Sequence, residues 1–334
     1  MRRMTAKYFF FVAVVAELTF FAGNGSANKL DLTVGRFIEC TPDGVDCIAH
    51  NGAYEQFMAE YAFGVSPKLL ASSSTLGYSG FYLGIESSIA GVPSDGTSRF
   101  NATARNYEDA RWRVGTADGA AGSPPAMFFP TVHVRKGLPW SMELGSSISY
   151  LAQSELVALG GEVKWSLFEG YRKGFLGVMP DLAVRGTVNR IIGETDVDMT
   201  LVGADAAISY PIGIGGMISI EPYAGYQFMW TIIRTEPIAL YDSSTDPPTL
   251  VQSTANHFDA SEANMTGPNL TRNNVFGGIV FRYELLTVTM DWTVGLPGSW
   301  TTKQYMVPGD AAMQNVDVKV GTQLKYSFGV GLQF

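Results

Sequence analysis

Histidine is the side chain most often used as a catalytic base, and the sequence contains three of them: His50, His133 and His257. A hydrolase also needs a serine or cysteine nucleophile within hydrogen-bonding reach of that base. His133 lies in an alternating stretch, where a partner on the same face of a strand would be two residues away. Thr131 and Arg135 occupy those positions. The sequence therefore predicts no catalytic residue and no enzymatic activity.

Cys40 and Cys47 are the two cysteines of the chain. Two thiols do not complete a zinc coordination shell, so no metal site is predicted. In an oxidising compartment, two cysteines this close in sequence favour a disulfide within a small loop. The glycine-rich residues 213–216 lie between two strand-like stretches and do not begin a helix, which argues against nucleotide binding. No cofactor is predicted.

The chain of 334 residues begins like an exported protein. A positively charged start is followed by an apolar run over residues 8–16 and by small residues at 25–27. This pattern predicts a signal peptide over residues 1–27 and a single domain over residues 28–334. The apolar run is too short and too interrupted to favour a helical membrane anchor.

Composition narrows the class of protein further. The formal net charge is −8, which excludes the basic surface that a nucleic-acid partner requires. Hydrophobic residues make up 46% of the chain, charged residues only 16%, and there are 37 glycines. A low charged share with many glycines favours β-structure in an apolar solvent over a soluble helical fold.

Hydrophobicity alternates with a period of two along most of the chain. Residues 324–334 show the pattern most completely, because every second residue is apolar and those between are small or polar. Twelve segments were assigned to strands on this pattern: near 30–38, 57–65, 81–89, 128–135, 140–150, 157–167, 176–188, 197–210, 218–231, 275–283, 286–294 and 324–334. The phase of 197–210 changes near Val202. We predict an all-β fold, an antiparallel transmembrane β-barrel of about 12 strands.

The lengths of the connections alternate in the same way. Short turns are predicted near 67–76, 137–139, 169–174, 211–216 and 284–285, and long loops at 91–125, 234–272 and 297–318. Outer-membrane barrels have short periplasmic turns and long extracellular loops. The pattern therefore predicts long extracellular loops and both termini in the periplasm.

The ending YSFGVGLQF resembles the C-terminal signature of bacterial outer-membrane β-barrel proteins. The residues that carry the resemblance are Tyr326, Phe328, Val330, Leu332 and the terminal Phe334. The resemblance implies a location in the bacterial outer membrane, contact with its lipid, and recognition of the last strand by the barrel assembly machinery.

Charged residues fall on the strand faces that oppose the apolar ones. Because charges are costly in lipid, these side chains are predicted to line the lumen. They are Glu60, Glu86, His133, Arg135, Glu143, Glu162, Lys164, Asp181, Arg185, Asp205, Glu221, Arg282, Asp291 and Lys325. Hairpin geometry predicts that Glu143 lies opposite Lys164, with Asp181 near Glu162 and Lys164.

Three functions are compatible with such a barrel. The first is a passive channel or small-solute transporter with a narrow lumen of mixed charge. The second is a closed structural or ligand-binding barrel that acts through its surface loops. The third is a lipid-modifying outer-membrane enzyme, for which no nucleophile and base are visible.

Overall fold

A computed structural model describes most of the chain after its amino-terminal region. The described residues are 30, 32, 37–40, 47–49, 51–67, 71–92, 112, 125–170, 179–193, 197–235, 238–242, 249–254, 270–305 and 313–334. The predicted signal peptide over residues 1–27 lies outside them, as do His50 and His257.

The described chain consists of short amino-terminal strands, one helix and a long series of strands. The elements are β1 (Ile38–Cys40), β2 (Cys47–Ala49), α1 (Asn51–Val65), β3 (Phe81–Gly91), β4 (Ala126–Leu138), β5 (Met142–Tyr150), β6 (Val157–Phe168), β7 (Asp181–Ile192), β8 (Val197–Ser209), β9 (Ile212–Ile214), β10 (Ile218–Thr235), β11 (Ile238–Asp242), β12 (Thr249–Thr254), β13 (Leu270–Tyr283), β14 (Leu286–Gly295), β15 (Gly298–Tyr305), β16 (Met313–Val320) and β17 (Gln323–Gln333).

Ten strands form a closed antiparallel barrel, in the order β3-β4-β5-β6-β7-β8-β10-β13-β14-β17 and back to β3. At the closing seam, Phe81 and Phe334 exchange backbone hydrogen bonds of 2.6 and 2.9 Å. Strand β9 pairs only with β10, outside the ring, and β1–β2, β11–β12 and β15–β16 are separate hairpins. The predicted all-β barrel class is therefore confirmed, with ten strands in the ring.

The barrel is apolar outside and polar inside. In β17, Tyr326 is 59% exposed and Phe328 is 40% exposed, whereas the intervening Lys325 and Ser327 are buried. Strand β7 alternates in the same way, with Val184 and the other apolar residues of its outer face exposed. An exposed apolar face around a closed sheet is the surface that lipid requires.

The two ends of the barrel differ in their connections. One end, named here the loop end, carries the connections 92–125, 151–156, 193–196, 236–269 and 296–322. The opposite turn end carries 139–141, 169–180, 210–217 and 284–285, together with Phe81 and Phe334 of the seam. Leu30 lies at the loop end, where its amide donates to the carbonyl of Gln153 at 3.4 Å. The prediction that the amino-terminal segment lies at the same end as the carboxyl terminus was wrong.

Two of the twelve predicted strands are not in the barrel. Residues 57–65 belong to helix α1, and the last strand pairs with β3 instead of with residues 30–38. The alternation in α1 was incomplete, because Met58 and Ala62 place apolar side chains on the face that was read as polar. Both are buried, since the helix is enclosed on all sides. Within the described residues, no helix is long and apolar enough to cross a bilayer.

Helix α1 lies against the loop-end part of the barrel's inner face. Many inward side chains there are apolar, and Met127, Phe129, Met199 and Met229 form a buried cluster with the helix. In β8 the inward residues change from apolar Leu201 to acidic Asp205 further along the strand. The apparent change of phase near Val202 is therefore a change in what the inner face contacts, and β8 keeps one regular alternation.

Candidate functional site in the barrel lumen

The lumen is filled by the chain's own residues 51–67 and 71–80, here named the plug. Helix α1 occupies the loop end, and residues 71–80 lie in the turn-end part of the lumen and lead into β3. This arrangement was not predicted from the sequence, where residues 67–76 were expected to form a short turn. A signal was present in the serine and threonine run Ser72–Thr75, which lacks the alternation of a strand.

Two cations from the barrel wall hold the carboxyl end of α1. Lys325 Nζ lies 3.2 Å from the carbonyl oxygen of Ser66 and 3.5 Å from that of Phe63. Arg272 donates to the carbonyl of Ala59 at 3.5 Å, and its guanidinium lies 4.7 Å from the centre of the Phe63 ring. Positive charge at this end of a helix is favourable, because the unpaired carbonyls there carry partial negative charge.

The rest of the plug meets the wall through hydroxyl and backbone groups. Lys164 Nζ donates to the carbonyls of Ser72 and Ser74 at 3.1 and 2.8 Å. The Ser74 hydroxyl lies 2.9 Å from the carboxylate of Glu221, and the amide of Leu76 donates to Glu143. Between residues 71 and 80 these contacts use small polar groups of the plug, with no charged side chain.

An arc of alternating charges crosses the inner wall at mid-height. His133 Nδ1 lies 2.9 Å from Glu86, and its Nε2 lies 3.2 Å from Glu162. Arg185 continues the arc, 3.2 Å from Glu162 and 3.0 Å from Asp205. The five side chains come from strands β3, β4, β6, β7 and β8, so the arc draws on half of the ten strands of the ring.

A second cluster lies nearer the turn end. Glu143 and Lys164 are direct cross-strand partners, as hairpin geometry predicts, and their charged atoms are 2.9 Å apart. Arg135 lies 4.0 Å from Glu143, with its guanidinium 4.1 Å from the centre of the Tyr82 ring. Across the lumen, Arg282 forms an ion pair with Glu221. The charges of this cluster and of the Arg282–Glu221 pair therefore neutralise one another even without the plug.

The remaining predicted residues are placed differently. Asp181 accepts from the amide of Gly170 at 3.1 Å at the turn end, and it does not join the Glu143–Lys164 pair. Asp291 faces the lumen and accepts from the Tyr223 hydroxyl at 3.0 Å.

Glu60 is carried by helix α1, so its assignment to a strand was wrong. Its carboxylate accepts a 2.6 Å hydrogen bond from the Trp112 indole. Cys40 and Cys47 are directly opposed in the β1–β2 hairpin, where the backbone register pairs them. The disulfide between them stays a prediction.

The histidine that the structure describes is not arranged for base catalysis. Both ring nitrogens of His133 face carboxylate oxygens, and both must carry a proton in order to donate. No ring nitrogen is then left to accept a proton from a nucleophile. Within the described residues, no group of three or more His, Cys, Asp or Glu side chains could hold a metal ion.

Two small cavities remain beside the plug. One, of about 20 Å³, lies near His133, Glu162 and Thr187, and the other, of about 10 Å³, lies near Ser72 and Arg282. Cavities of this size hold roughly one water molecule. Neither of these two cavities has room for a solute larger than water while the plug is in place.

The closed strand order and the exposed apolar wall decide the class of the fold. The chain has the fold of an outer-membrane β-barrel protein. No protein-family model matches the chain, and no curated protein matches it.

Two solved structures were compared with the chain. OprG, an outer membrane protein of Pseudomonas aeruginosa, is 11% identical with a TM-score of 0.31, over 79% of this chain and 99% of OprG. Ail, the attachment invasion locus protein of Yersinia pestis, was solved with the heparin analogue sucrose octasulfate. It is 8% identical with a TM-score of 0.23, over 77% of this chain and 99% of Ail. The assignment of the fold rests on the chain's own strand order.

Proposed function

We propose that the protein is a gated channel of the bacterial outer membrane, closed at rest by its plug, which lets small hydrophilic solutes pass when the plug moves. The location is supported by the exposed apolar wall and by the regular alternation of β17. The loop end would face outward, as the long connections of such barrels do. Lipid contact and recognition by the assembly machinery belong to the same proposal.

One observation carries the channel function: near the turn end the charged wall is internally paired, whereas residues 71–76 of the plug are held there by hydroxyl and backbone groups. When residues 71–76 leave, Lys164 keeps Glu143 at 2.9 Å and Arg282 keeps Glu221 as partners. Releasing this segment costs a limited number of hydrogen bonds, each worth about 0.5–1.5 kcal/mol net and about 1.5–3 kcal/mol when one partner is charged. Helix α1 must also move for the passage to open, which adds the cost of exposing its buried apolar side chains. The wall that would remain near the turn end is polar, which suits a water-filled passage.

The width of the barrel supports the same proposal. An eight-stranded barrel has an interior that side chains alone can fill. Ten strands enclose more space, and here that space is filled by a separate segment of chain, so a displaced plug would leave a continuous lumen. The proposal is for a conduit that carries out no reaction, in keeping with the paired nitrogens of His133.

Single-channel recording in planar bilayers tests the proposal. Ser74→Ala removes the hydroxyl that binds Glu221 at 2.9 Å and Arg282 at 3.3 Å, and leaves the ion pair between those two side chains intact. A loss of about 1.4 kcal/mol of closing energy would raise the open fraction about tenfold. The matched control is Ser146→Ala, because Ser146 lies on the exposed outer side and bonds to the Gly160 carbonyl at 3.2 Å.

A locked variant gives the opposite test. The amide of Ser73 lies 3.1 Å from Ser209 Oγ, so Ser73→Cys with Ser209→Cys places two thiols where a disulfide can tie the plug to β8. Conductance should vanish in the oxidised protein and return with reductant. If the reduced double variant and Ser74→Ala both stay silent in folded protein, the channel proposal is wrong, and the closed barrel that acts through its loops becomes the better hypothesis.

A further inference from the structure

The inward charges of the barrel wall are balanced. The described strands point seven acidic and seven basic side chains into the lumen, with His133 counted as an imidazolium: Glu86, Glu143, Glu162, Asp181, Asp205, Glu221 and Asp291 against His133, Arg135, Lys164, Arg185, Arg272, Arg282 and Lys325. An ion that enters a confined passage loses hydration, and it needs uncompensated charge on the wall to recover that energy. A wall with equal numbers of acidic and basic side chains therefore gives little compensation for lost hydration to either cations or anions.

The opposite side of the lumen offers uncharged hydrogen-bonding groups. Asn274 Nδ2 donates to Gln227 Oε1 at 2.8 Å, which leaves Gln227 Nε2 and Asn274 Oδ1 buried and without a partner. Among the described residues, the hydroxyls of Thr287 and Ser327, and that of Thr187 beside the charged arc, are likewise buried and unpaired. One free donor beside one free acceptor complements a hydroxyl group, which both donates and accepts.

The plug itself shows which chemistry the wall binds. The run Ser72–Thr75 carries four hydroxyl groups in succession. The Ser74 hydroxyl binds Glu221 at 2.9 Å, and the Thr75 hydroxyl binds Glu169 at 2.7 Å. A chain of neighbouring hydroxyls held by carboxylates is also the pattern that a small sugar or sugar alcohol presents to a protein.

From these observations we infer that the channel accepts small, uncharged, polyhydroxylated solutes, and that they compete with Ser72–Thr75 for the same wall groups. The inference rests on the proposed channel function and names its class of solute. Because the cavities beside the plug hold roughly one water each, a solute can bind only where the plug's hydroxyls have left. Solute binding and plug release are therefore coupled.

Competition can be measured without recording any current. Ser73→Cys, in a background with Cys40→Ser and Cys47→Ser, puts one thiol on a plug residue that is fully buried at rest. Its rate of reaction with a membrane-impermeant maleimide reports how often the plug leaves. Mannitol and glucose should raise that rate about threefold or more as they capture the open state. Sodium glutamate and lysine hydrochloride at equal osmolality should leave it unchanged, and the reversal potential of open Ser74→Ala channels in a salt gradient should lie near zero.

The outcomes separate the inference from the proposed function. Faster labelling with mannitol and glucose alone supports the inference. The inference is overturned if the labelling rate is unchanged by all four solutes, or if the charged solutes raise it as much as mannitol and glucose do. The channel proposal stands in that case if Ser74→Ala still conducts. A strongly cation- or anion-selective reversal potential also overturns it. If Ser74→Ala neither conducts nor speeds labelling, the gated channel itself is refuted and the solute class falls with it.

Discussion

Lys325 makes a strong prediction, because it is a fully buried ammonium that holds the end of the plug helix. It lies 3.2 Å from the Ser66 carbonyl and 3.5 Å from that of Phe63, and it is 1% exposed. Lys325→Met keeps most of the apolar stem and removes the charge. The carbonyls at the end of α1 then lose their donor, and we expect the helix to leave its place more often.

The size of the effect follows from these contacts. A hydrogen bond from a charged donor contributes about 1.5–3 kcal/mol, and a cation at a helix carboxyl end about 0.3–1 kcal/mol or up to about 2 kcal/mol when partly buried. Removal of the ammonium also relieves its desolvation cost, so the lower end of the combined range applies. A net loss of about 2 kcal/mol makes local opening about 30 times more frequent.

Hydrogen exchange of the α1 amides in detergent micelles measures that frequency. Lys136→Met is the matched control, because Lys136 also donates to a plug carbonyl, that of Ser79 at 2.9 Å, but does so at the exposed turn end. Its exchange should change by less than about threefold, since an exposed bond of this kind contributes little. Equal exchange rates in Lys325→Met and wild-type protein would refute the role given to Lys325 in anchoring the helix.

Three further predictions concern other contacts of the amino-terminal region. Gly137→Ala would place a Cβ 1.8 Å from the Gly77 carbonyl oxygen, so it should lower the temperature at which the barrel loses its folded mobility on gels. Gly186→Ala should leave that temperature unchanged, because the space around Gly186 is open. Burial raises the pKa of the Glu55 carboxyl above its ordinary value of 4.5, so the folded state favours the protonated form. The free energy of unfolding should therefore be greatest below pH 4.5 and fall as the pH rises through the raised pKa. The urea midpoint measured against pH should show this fall in the wild type and lose it in Glu55→Gln. The opposed cysteines of β1 and β2 should be oxidised in the exported protein, and mass spectrometry without reductant should find the peptides joined; separate peptides with free thiols would contradict the disulfide.

The barrel strands were predictable because a strand between lipid and a polar lumen alternates apolar and polar residues along its length, and loops do not keep this alternation. In β17 the alternation of Tyr326 and Phe328 with Lys325 and Ser327 is complete, and the structure follows it residue by residue. The Glu143–Lys164 pair was also within reach, since a hairpin turn fixes which residues lie opposite each other. Local rules of this kind need no knowledge of the rest of the chain.

The plug was not predictable in the same way, because it depends on contacts far apart in sequence. The apolar residues Phe57, Tyr61 and Phe63 alternate well enough to imitate a strand, and only their enclosure by the loop-end wall explains why both sides of α1 are buried. The loop-end part of the inner face of β8 is apolar for the same reason. A pattern that is read one segment at a time cannot show that a helix will sit inside a ring of strands.

The seam between Phe81 and Phe334 has a consequence for the order of assembly. The plug is joined directly to β3, one side of the seam, and its helix α1 lies within the ring at the loop end. Once β17 has paired with β3, the plug could reach this position only if the chain were threaded through the closed ring. The ring must therefore close around a segment that is already in place, so that the last strand to be synthesised encircles the first part of the fold.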